Sequence, residues 1–235
     1  MIVPLDTTLF TPEGFVEAWE LFPGFELLDS NNERYEIEET IETEEEVSLL
    51  ILDDESEVRV ATRFIEKNDI KIGDDLINNK PIQFMSIEEE GFNVEIVERS
   101  EGVEYGTFGK YDFIPHRYLT GFIHNRKMFF NGLLFSHLLE RYTDDNRVFF
   151  RVKTNEFAED MLYLVRSLGG TGFYHLFYDD ASFYEVEIQL PDYFEEGTPS
   201  RKITDIESLG NEEVIEFVTK QDNFIVNDFI CLTKR

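Results

Sequence analysis

The stretch LDTTLFTPEGF at residues 5–15 decides the fold of this chain, together with EL at residues 20–21 and GFELLD at residues 24–29. These stretches open a region, from residue 1 to about residue 110, in which short apolar or alternating runs lie between Asp, Asn and Gly turn signals. The clearest runs are at residues 49–52, 58–60, 82–87 and 92–97. Such runs between turn residues are typical of β-strands, so this region is predicted to be strand-rich.

The end of the chain returns to this pattern with VIEFV at residues 214–218 and DNFIVNDFI at residues 222–230. Between about 116 and 195 the pattern differs, and Pro191 and the GTP at residues 197–199 indicate a linker after it. This middle segment is predicted to be α/β. Its elements are a helix near 129–141, a strand at 148–152, a helix at 155–168, and strands near 173–178 and 183–190.

The helix predicted at 155–168 has the clearest pattern. Its apolar residues at 157, 158, 161, 162, 164, 165 and 168 fall on one face. Asn155 is the predicted N-cap, and Gly169 and Gly170 are predicted to end the helix.

Composition limits the class of protein. The chain has 235 residues, 42% hydrophobic side chains and a formal net charge of −29. It is long enough for one good core or two modest ones, and it contains no apolar run near the ~20 residues that span a bilayer. Because Cys231 is the only cysteine, an internal disulfide and a cysteine metal cluster are excluded. We expect a soluble, unsecreted protein without a membrane role.

The acidic residues are concentrated in the first half, where residues 1–115 contain 30 acidic and 8 basic side chains. The densest run has glutamates at Glu36, Glu38, Glu39, Glu42, Glu44, Glu45 and Glu46. Mutual repulsion favours a solvated loop or an exposed strand edge. Three interpretations are open: a solubilising surface, a docking surface for a basic partner, or a mimic of the DNA phosphate backbone. A field of this sign opposes direct binding of nucleic acid.

The opening and closing stretches resemble the first and last sequence blocks of Hedgehog/intein (Hint) domains. The resemblance implies one β-rich domain built from both ends of the chain. Splicing by that family needs an N-terminal Cys or Ser nucleophile, a histidine in a Thr-x-x-His block, and a final His-Asn pair. This chain starts MIVP, has Thr62-Arg63-Phe64-Ile65 at the second place, and has Leu232-Thr233 or Lys234-Arg235 at the third. On these alignments the three required groups are absent, so we expect no splicing.

The middle segment resembles the LAGLIDADG homing endonucleases that often interrupt inteins. FFNGLLFSHLLE at residues 129–140 corresponds to the signature helix, and RVFFRVKT at 147–154 and EFAEDMLYLVRSLGG at 156–170 follow in the family's order. In this alignment Phe135 and His137 stand at the two Asp positions and Leu138 at the terminal Gly. Glu140 and Asp144 lie about a helical turn, ~5 Å, away from the metal-binding place. Nuclease activity is not expected.

The remaining candidates for chemistry are weak. The four histidines, at 116, 124, 137 and 175, show no metal-binding spacing, and the paired aspartates at 53–54, 74–75, 144–145 and 179–180 fit turns better than calcium sites. The GGTG at 169–172 follows a helix instead of opening one, so it does not predict a phosphate site. Aromatic residues are abundant between 173 and 184. Phe173, Tyr174, Phe177 and Tyr178 are therefore candidates for a binding face.

The sequence thus predicts an α+β protein: a discontinuous β-rich Hint-like domain from residues 1–115 and 196–235, with a LAGLIDADG-like α/β insertion at 116–195. We expect no catalytic residues, no cofactor and no metal. The predicted function is binding to a protein partner, either a basic protein or part of a bacteriophage assembly, in the host cytoplasm or a virion. Two alternatives stay open: an acidic DNA mimic that inhibits a DNA-binding protein, and a residual endonuclease or hydrolase.

Overall fold

The computed structural model describes residues 1–78, 101–106, 110–136, 141–144, 147–177, 183–189, 200–221 and 224–234. The chain divides into two compact units. The terminal unit comprises Met1–Lys80 and Ser200–Arg235, and the central unit comprises Pro81–Pro199. Both ends of the chain therefore belong to one unit. The divisions lie at 80/81 and 199/200, whereas the sequence-based boundaries are at 115/116 and 195/196.

The terminal unit is built almost entirely from antiparallel strands. They are β1 (Ile2–Pro4), β2 (Thr8–Thr11), β3 (Gly14–Glu17), β4 (Glu26–Leu28), β5 (Arg34–Glu36), β6 (Glu39–Leu52), β7 (Glu57–Ala61), β8 (Asp75–Asn78), β13 (Arg201–Val218), β14 (Ile225–Val226) and β15 (Ile230–Lys234). A nine-stranded sheet runs in the order β3-β2-β14-β15-β8-β13-β6-β7, with β1 on β13, while β4 and β5 form a separate pair. A 3-10 helix (Ala18–Glu20) and helix α1 (Thr62–Lys67) complete the unit.

The opening and closing stretches that the sequence singles out lie against each other. Val226 pairs with Leu9, and the Asn227 side-chain oxygen accepts hydrogen bonds from the Thr8 backbone N–H at 2.8 Å and the Thr8 hydroxyl at 2.9 Å. Phe10, Phe15 and Phe229 form a triangle of rings with centroids 4.8 to 5.4 Å apart. Edge-to-face aromatic contacts of this kind add stability beyond the area that they bury. The two ends are thus joined by backbone pairing, a side-chain clamp and a shared apolar contact.

The central unit contains a four-stranded antiparallel sheet and helices. The strands are β9 (Arg141–Asp144), β10 (Arg147–Val152), β11 (Thr171–Phe177) and β12 (Phe183–Gln189), in the order β11-β12-β10-β9. The helices are α2 (His116–Leu119), α3 (Ile123–Phe135) and α4 (Asn155–Ser167), and residues 101–105 are also helical. Helix α4 buries the whole apolar face that its sequence predicts, and Gly169 follows it with φ +85°. This unit has its own core, separate from that of the terminal unit.

Three details of the central unit differ from the sequence-based prediction. Helix α3 begins at Ile123 and ends at Phe135, earlier than the predicted 129–141, and Arg141 opens strand β9 instead. The sequence pattern placed the start of α3 too late, because the first buried position of the helix is occupied by the charged residue Arg126 and not by an apolar one. The N-cap of α4 is Thr154, whose hydroxyl accepts the Phe157 N–H at 3.3 Å, and not Asn155. The strands predicted at 82–87 and 92–97 lie outside the described residues.

Arg126 ties two helices of the central unit together. Its side chain is fully buried, and it donates to the Gly121 carbonyl at 2.9 Å, to the Ser167 carbonyl at 3.1 Å and to the Ser167 hydroxyl at 2.6 Å. Burial lowers the pKa of Arg126 to about 10, which still leaves it charged at neutral pH. Ser167 is the last residue of α4, where the helix dipole favours a cation and the carbonyls have no intrahelical partner. Arg126, on helix α3, therefore supplies hydrogen-bond donors to the C-terminal end of helix α4.

Replacing Arg126 by methionine should destabilise the protein by about 2–4 kcal/mol, because the Ser167 and Gly121 carbonyls would lose their donor inside the core. Urea unfolding followed by circular dichroism measures this. Arg117→Met is the control, since that side chain is mostly exposed and should change stability by less than about 1 kcal/mol. Equal effects of the two substitutions would show that burial of Arg126 is not what matters.

Candidate functional site

The place where the Hint resemblance expects a nucleophile is filled by apolar side chains. Ile2, on β1, packs with Val47, Ala61 and Val214, and all four are buried. β1 lies against β13, with Ile2 opposite Glu216. The fold thus brings the start of the chain beside the end of β7, but the groups that meet there are hydrocarbon. Such a cluster stabilises the strands and offers no atom for acyl transfer.

The Thr-x-x-His place is equally closed. Thr62 is the first residue of α1, and its hydroxyl lies 2.8 Å from the Ser48 hydroxyl. Phe64 and Ile65 belong to the main core of the terminal unit. Ile65 occupies the position of the family's histidine, so that position is part of the core instead of a polar site.

Near the third place, the described side chains are those of Cys231 and Leu232. Leu232 and Cys231 are both buried on β15, and Leu232 packs in the core. Burial raises the pKa of the Cys231 thiol to about 12. The thiolate is the nucleophilic form, so Cys231 is inert near neutral pH.

Cys231 should therefore react far more slowly with a disulfide reagent at pH 8 in the folded protein than in the unfolded one. A rise from the ordinary thiol pKa of 9.0 to about 12 lowers the thiolate fraction roughly a thousandfold, and burial slows access further. Release of thionitrobenzoate, with and without guanidinium, measures the two rates. Rapid labelling of the folded chain would contradict the buried position of β15.

The described residues hold no group of three or more His, Cys, Asp and Glu side chains suited to a metal ion. His116, His124 and His175 are exposed. The residues that decide the endonuclease resemblance, His137, Leu138 and Glu140, lie outside the described residues, as does Tyr178. The LAGLIDADG-like insertion consequently stays a prediction from the sequence. Within the described ranges, no helix is long and apolar enough to cross a membrane.

The acidic segment forms strand instead of a loop. Glu36 ends β5, Glu38 precedes β6, and Glu39, Glu42, Glu44, Glu45 and Glu46 lie on β6. β13 pairs with β6 along its whole length, but β7 pairs only with Val47–Ile51. Among the described strands, β6 therefore has one open edge beside its glutamates. Because side chains alternate along a strand, Glu42, Glu44 and Glu46 form a row on one face, spaced by about 6.8 Å.

On the opposite face of β6, two arginines hold the carboxylates together. Glu45 and Glu212 stand directly opposite each other, a pairing of like charges that destabilises a sheet. Arg63 of α1 lies 2.8 Å from Glu45 and 3.0 Å from Glu216, and Arg59 of β7 lies 3.1 Å from Glu212 and also bonds Asp6. The arginines had no role in the sequence-based prediction, because their acidic partners on β13 are about 150 residues away.

The double substitution Arg59→Gln and Arg63→Gln should lower the free energy of unfolding by about 1–2 kcal/mol at low salt and by less in 1 M salt. The carboxylates of Glu45, Glu212 and Glu216 would then repel each other without a neighbouring cation. Unfolding by urea at the two salt concentrations measures the difference. Arg34→Gln with Lys71→Gln, which removes two exposed single pairs, is the control. A loss independent of salt would indicate packing of the arginine stems instead.

The second predicted binding region divides between the two faces of strand β11. Phe173, His175 and Phe177 alternate on one face, whereas Tyr174 packs against the core of the central unit and donates to Glu159 of α4 at 3.1 Å. β11 is an edge strand of its sheet. Phe173 and Phe177 are thus candidates for a surface contact, and Tyr174 has a structural role.

Around Phe177 the face of the sheet contains both aromatic contacts and ion pairs. Phe177 stacks on Phe183 with centroids 5.1 Å apart, and the Arg151 guanidinium lies 4.7 Å from the Phe183 ring. Glu185 is buried with Arg151 and His175 each 3.8 Å away. Acidic and basic groups compensate each other here, so this face carries no strong field of one sign.

No protein-family model and no curated protein matches the sequence. Solved structures that are similar to the chain include inteins. The gp41-1 intein has a TM-score of 0.38 and 12% identity over 99% of this chain and 98% of its own. The DnaX mini-intein from Spirulina platensis has a TM-score of 0.35 and 10% identity over 99% of each chain, and a variant of the Ssp DnaB mini-intein has 0.37 and 11% over 98% of each.

Proposed function

We propose that this chain is a non-catalytic protein of Hint-like architecture that acts by binding a protein partner. The observation that carries the proposal is the closed apolar cluster of Ile2, Val47, Ala61 and Val214 at the place where splicing would need its nucleophile. The nucleophile place and the histidine place hold buried hydrocarbon side chains, and Leu232, at the third place in one of the two alignments, packs in the core. A protein of this kind acts through the shape of its surface.

The acidic row on β6 supports a binding role. Glu42, Glu44 and Glu46 lie on one face and are exposed, and Glu213 of β13 stands opposite Glu44. A basic partner would gain from every one of these carboxylates, and association would be steered by the field of the whole chain. The open strand edge beside the row adds backbone groups that an extended segment could pair with.

A bacteriophage particle or assembly is the setting that we propose for this partner, because intein-like elements are common in phage genes. This step is an association and not a physical argument. An inhibitory DNA mimic is the alternative that one observation favours, namely the regular spacing of the three glutamates along β6. The row covers only about 14 Å, and on the other face of β6 Arg59 and Arg63 partly compensate the carboxylates, so a protein partner fits better.

Fusing the chain between two reporter domains should yield an intact fusion, with neither ligated reporters nor cleaved ends on gels and in mass spectra. The same fusion with an active mini-intein is the positive control. Plasmid DNA with Mg²⁺ should also stay uncut. Any spliced product or broken phosphodiester would contradict the proposal.

The binding role is tested by pull-down from native cells with the wild-type chain and with the triple substitution Glu42→Gln, Glu44→Gln and Glu46→Gln. The variant should retain less than about a fifth of the specific partner, because three desolvated contacts are each worth roughly 0.5–1 kcal/mol. Glu13→Gln with Glu57→Gln and Glu66→Gln makes the same change of charge at other exposed sites and should retain it. Equal retention by both variants would contradict a specific acidic docking site.

A further inference from the structure

The terminal unit exposes two aromatic side chains that the Hint resemblance and the acidic row do not account for. Trp19 and Phe22 are each 59% exposed, and Trp19 is the only tryptophan in the chain. Three residues of chain keep their Cα atoms within about 11 Å of each other. The Trp19 and Phe22 side chains can therefore contact the same ligand.

The backbone holds this aromatic pair rigidly. The Ala18 N–H donates to the Thr7 carbonyl at 2.8 Å, and the Trp19 N–H donates to the Leu5 carbonyl at 3.0 Å. Ala18 and Leu21 are buried in the core, so the residues beside them are directed outward. The indole N–H of Trp19 also donates to the Glu17 carboxylate. A binding surface fixed in this way loses little conformational entropy when it is occupied.

Phe22 packs against a residue that is itself anchored to the core. Its ring meets the Phe25 ring edge to face with centroids 4.4 Å apart, and Phe25 packs against the core. The chain at Gly24 and Phe25 pairs with Ile37 through hydrogen bonds of 2.9 and 2.8 Å. The aromatic pair is consequently anchored next to the start of the acidic segment, where Glu36 and Glu38 flank Ile37 and are exposed.

Along the sequence, the charged residues nearest the pair are acidic. A cation distant in sequence, Arg59, bonds Asp6 on the anchoring segment. Residues 1–33 contain seven acidic side chains and no Lys, Arg or His. Glu17 and Glu20, next to Trp19, are both exposed. The nearest cation in sequence, Arg34, pairs with Glu26. Exposed rings bordered by carboxylates suit a ligand with both cationic and apolar groups, because a cation over an indole face gains from the ring as well as from the acids.

We infer that Trp19 and Phe22, together with Glu20, Glu36 and Glu38, form a docking surface for a basic segment of a partner protein. Apolar side chains of that segment pack on the two rings, and its lysines or arginines meet the carboxylates. Nucleic acids and anionic membranes are repelled by the same field. The inference rests on the proposed binding function and goes beyond it by naming a second surface and the chemistry of its ligand.

The test titrates the full-length chain with an acetylated and amidated octapeptide of six lysines and two leucines. Because Trp19 is the only tryptophan, its emission reports directly on this surface. A saturable change of Trp19 emission is expected, with an affinity that falls several-fold between 0.05 and 0.5 M salt. An octapeptide with six glutamates in place of the lysines should produce no change.

Phe22→Ala should weaken binding of the lysine peptide by roughly fivefold to tenfold, the loss expected for one ring contact with a cation or an apolar group. Phe113→Ala removes an aromatic side chain that is 52% exposed in the central unit and should leave the affinity unchanged. Trp19→Phe, followed by anisotropy of a labelled peptide, should weaken binding without loss of the fold. Protection of the Cys231 thiol shows that each variant is folded.

Three results would overturn the inference: no binding of the lysine peptide, binding that leaves Trp19 emission unchanged, or equal affinities for wild type and Phe22→Ala. Loss of binding only in the Glu42, Glu44 and Glu46 variant would move the peptide to the β6 row and overturn it too. Retention of a cellular partner through that row would leave the proposed function standing in each case. Splicing or DNA cleavage by the chain would instead contradict the proposed function alone.

Discussion

The pairing of β6 with β13 is the constraint on which the terminal unit depends. Its register joins Glu39 through Leu52 to Val218 through Ile203, so that residues about 150 to 180 positions apart stand side by side. β7, β8 and β1 all attach to one of these two strands. The 119 residues of the central unit lie inside the connection that this pairing closes. Extending the connection between Leu52 and Ile203 from about 30 to about 150 residues costs only ~1.4 kcal/mol, since each doubling costs ~0.6.

This pairing also determines which side chains meet beside β1. It brings β1 and the end of β7 together, at the place where the sequence resemblance to Hint domains leads one to expect a nucleophile. In this chain the place is occupied by Ile2, Ala61, Val47 and Val214, whose burial stabilises the long strands. The same register puts Glu45 opposite Glu212, and Arg59 and Arg63 are then needed on that face. On the other face Glu42, Glu44 and Glu46 are exposed, and Glu46 accepts a hydrogen bond from the Ser208 hydroxyl at 2.8 Å.

Sequence patterns predicted the strand-rich ends, the buried face of α4 and the joining of the two termini, because period, turn residues and ordered blocks all act locally. They misplaced α3, since Arg126 interrupts its apolar stripe, and they assigned Tyr174 to a surface although it packs on the core. The pairing of Arg63 with Glu216 could not be predicted, because it depends on the register of strands far apart in sequence. Trp19 and Phe22 carried no local signal, because only the burial of Ala18 and Leu21 shows which side chains are directed outward.

Exposed aromatic side chains usually risk self-association, and the charge of this chain removes that risk. With a net charge of −29, two copies repel each other at the distances where Trp19 and Phe22 would make contact. The repulsion is strongest in the first 58 residues, which contain 18 acidic side chains and Arg34 as the only basic one. The field that keeps identical chains apart attracts a basic segment to the same surface. Charge therefore allows the aromatic pair to stay exposed and selects the ligand that can cover it.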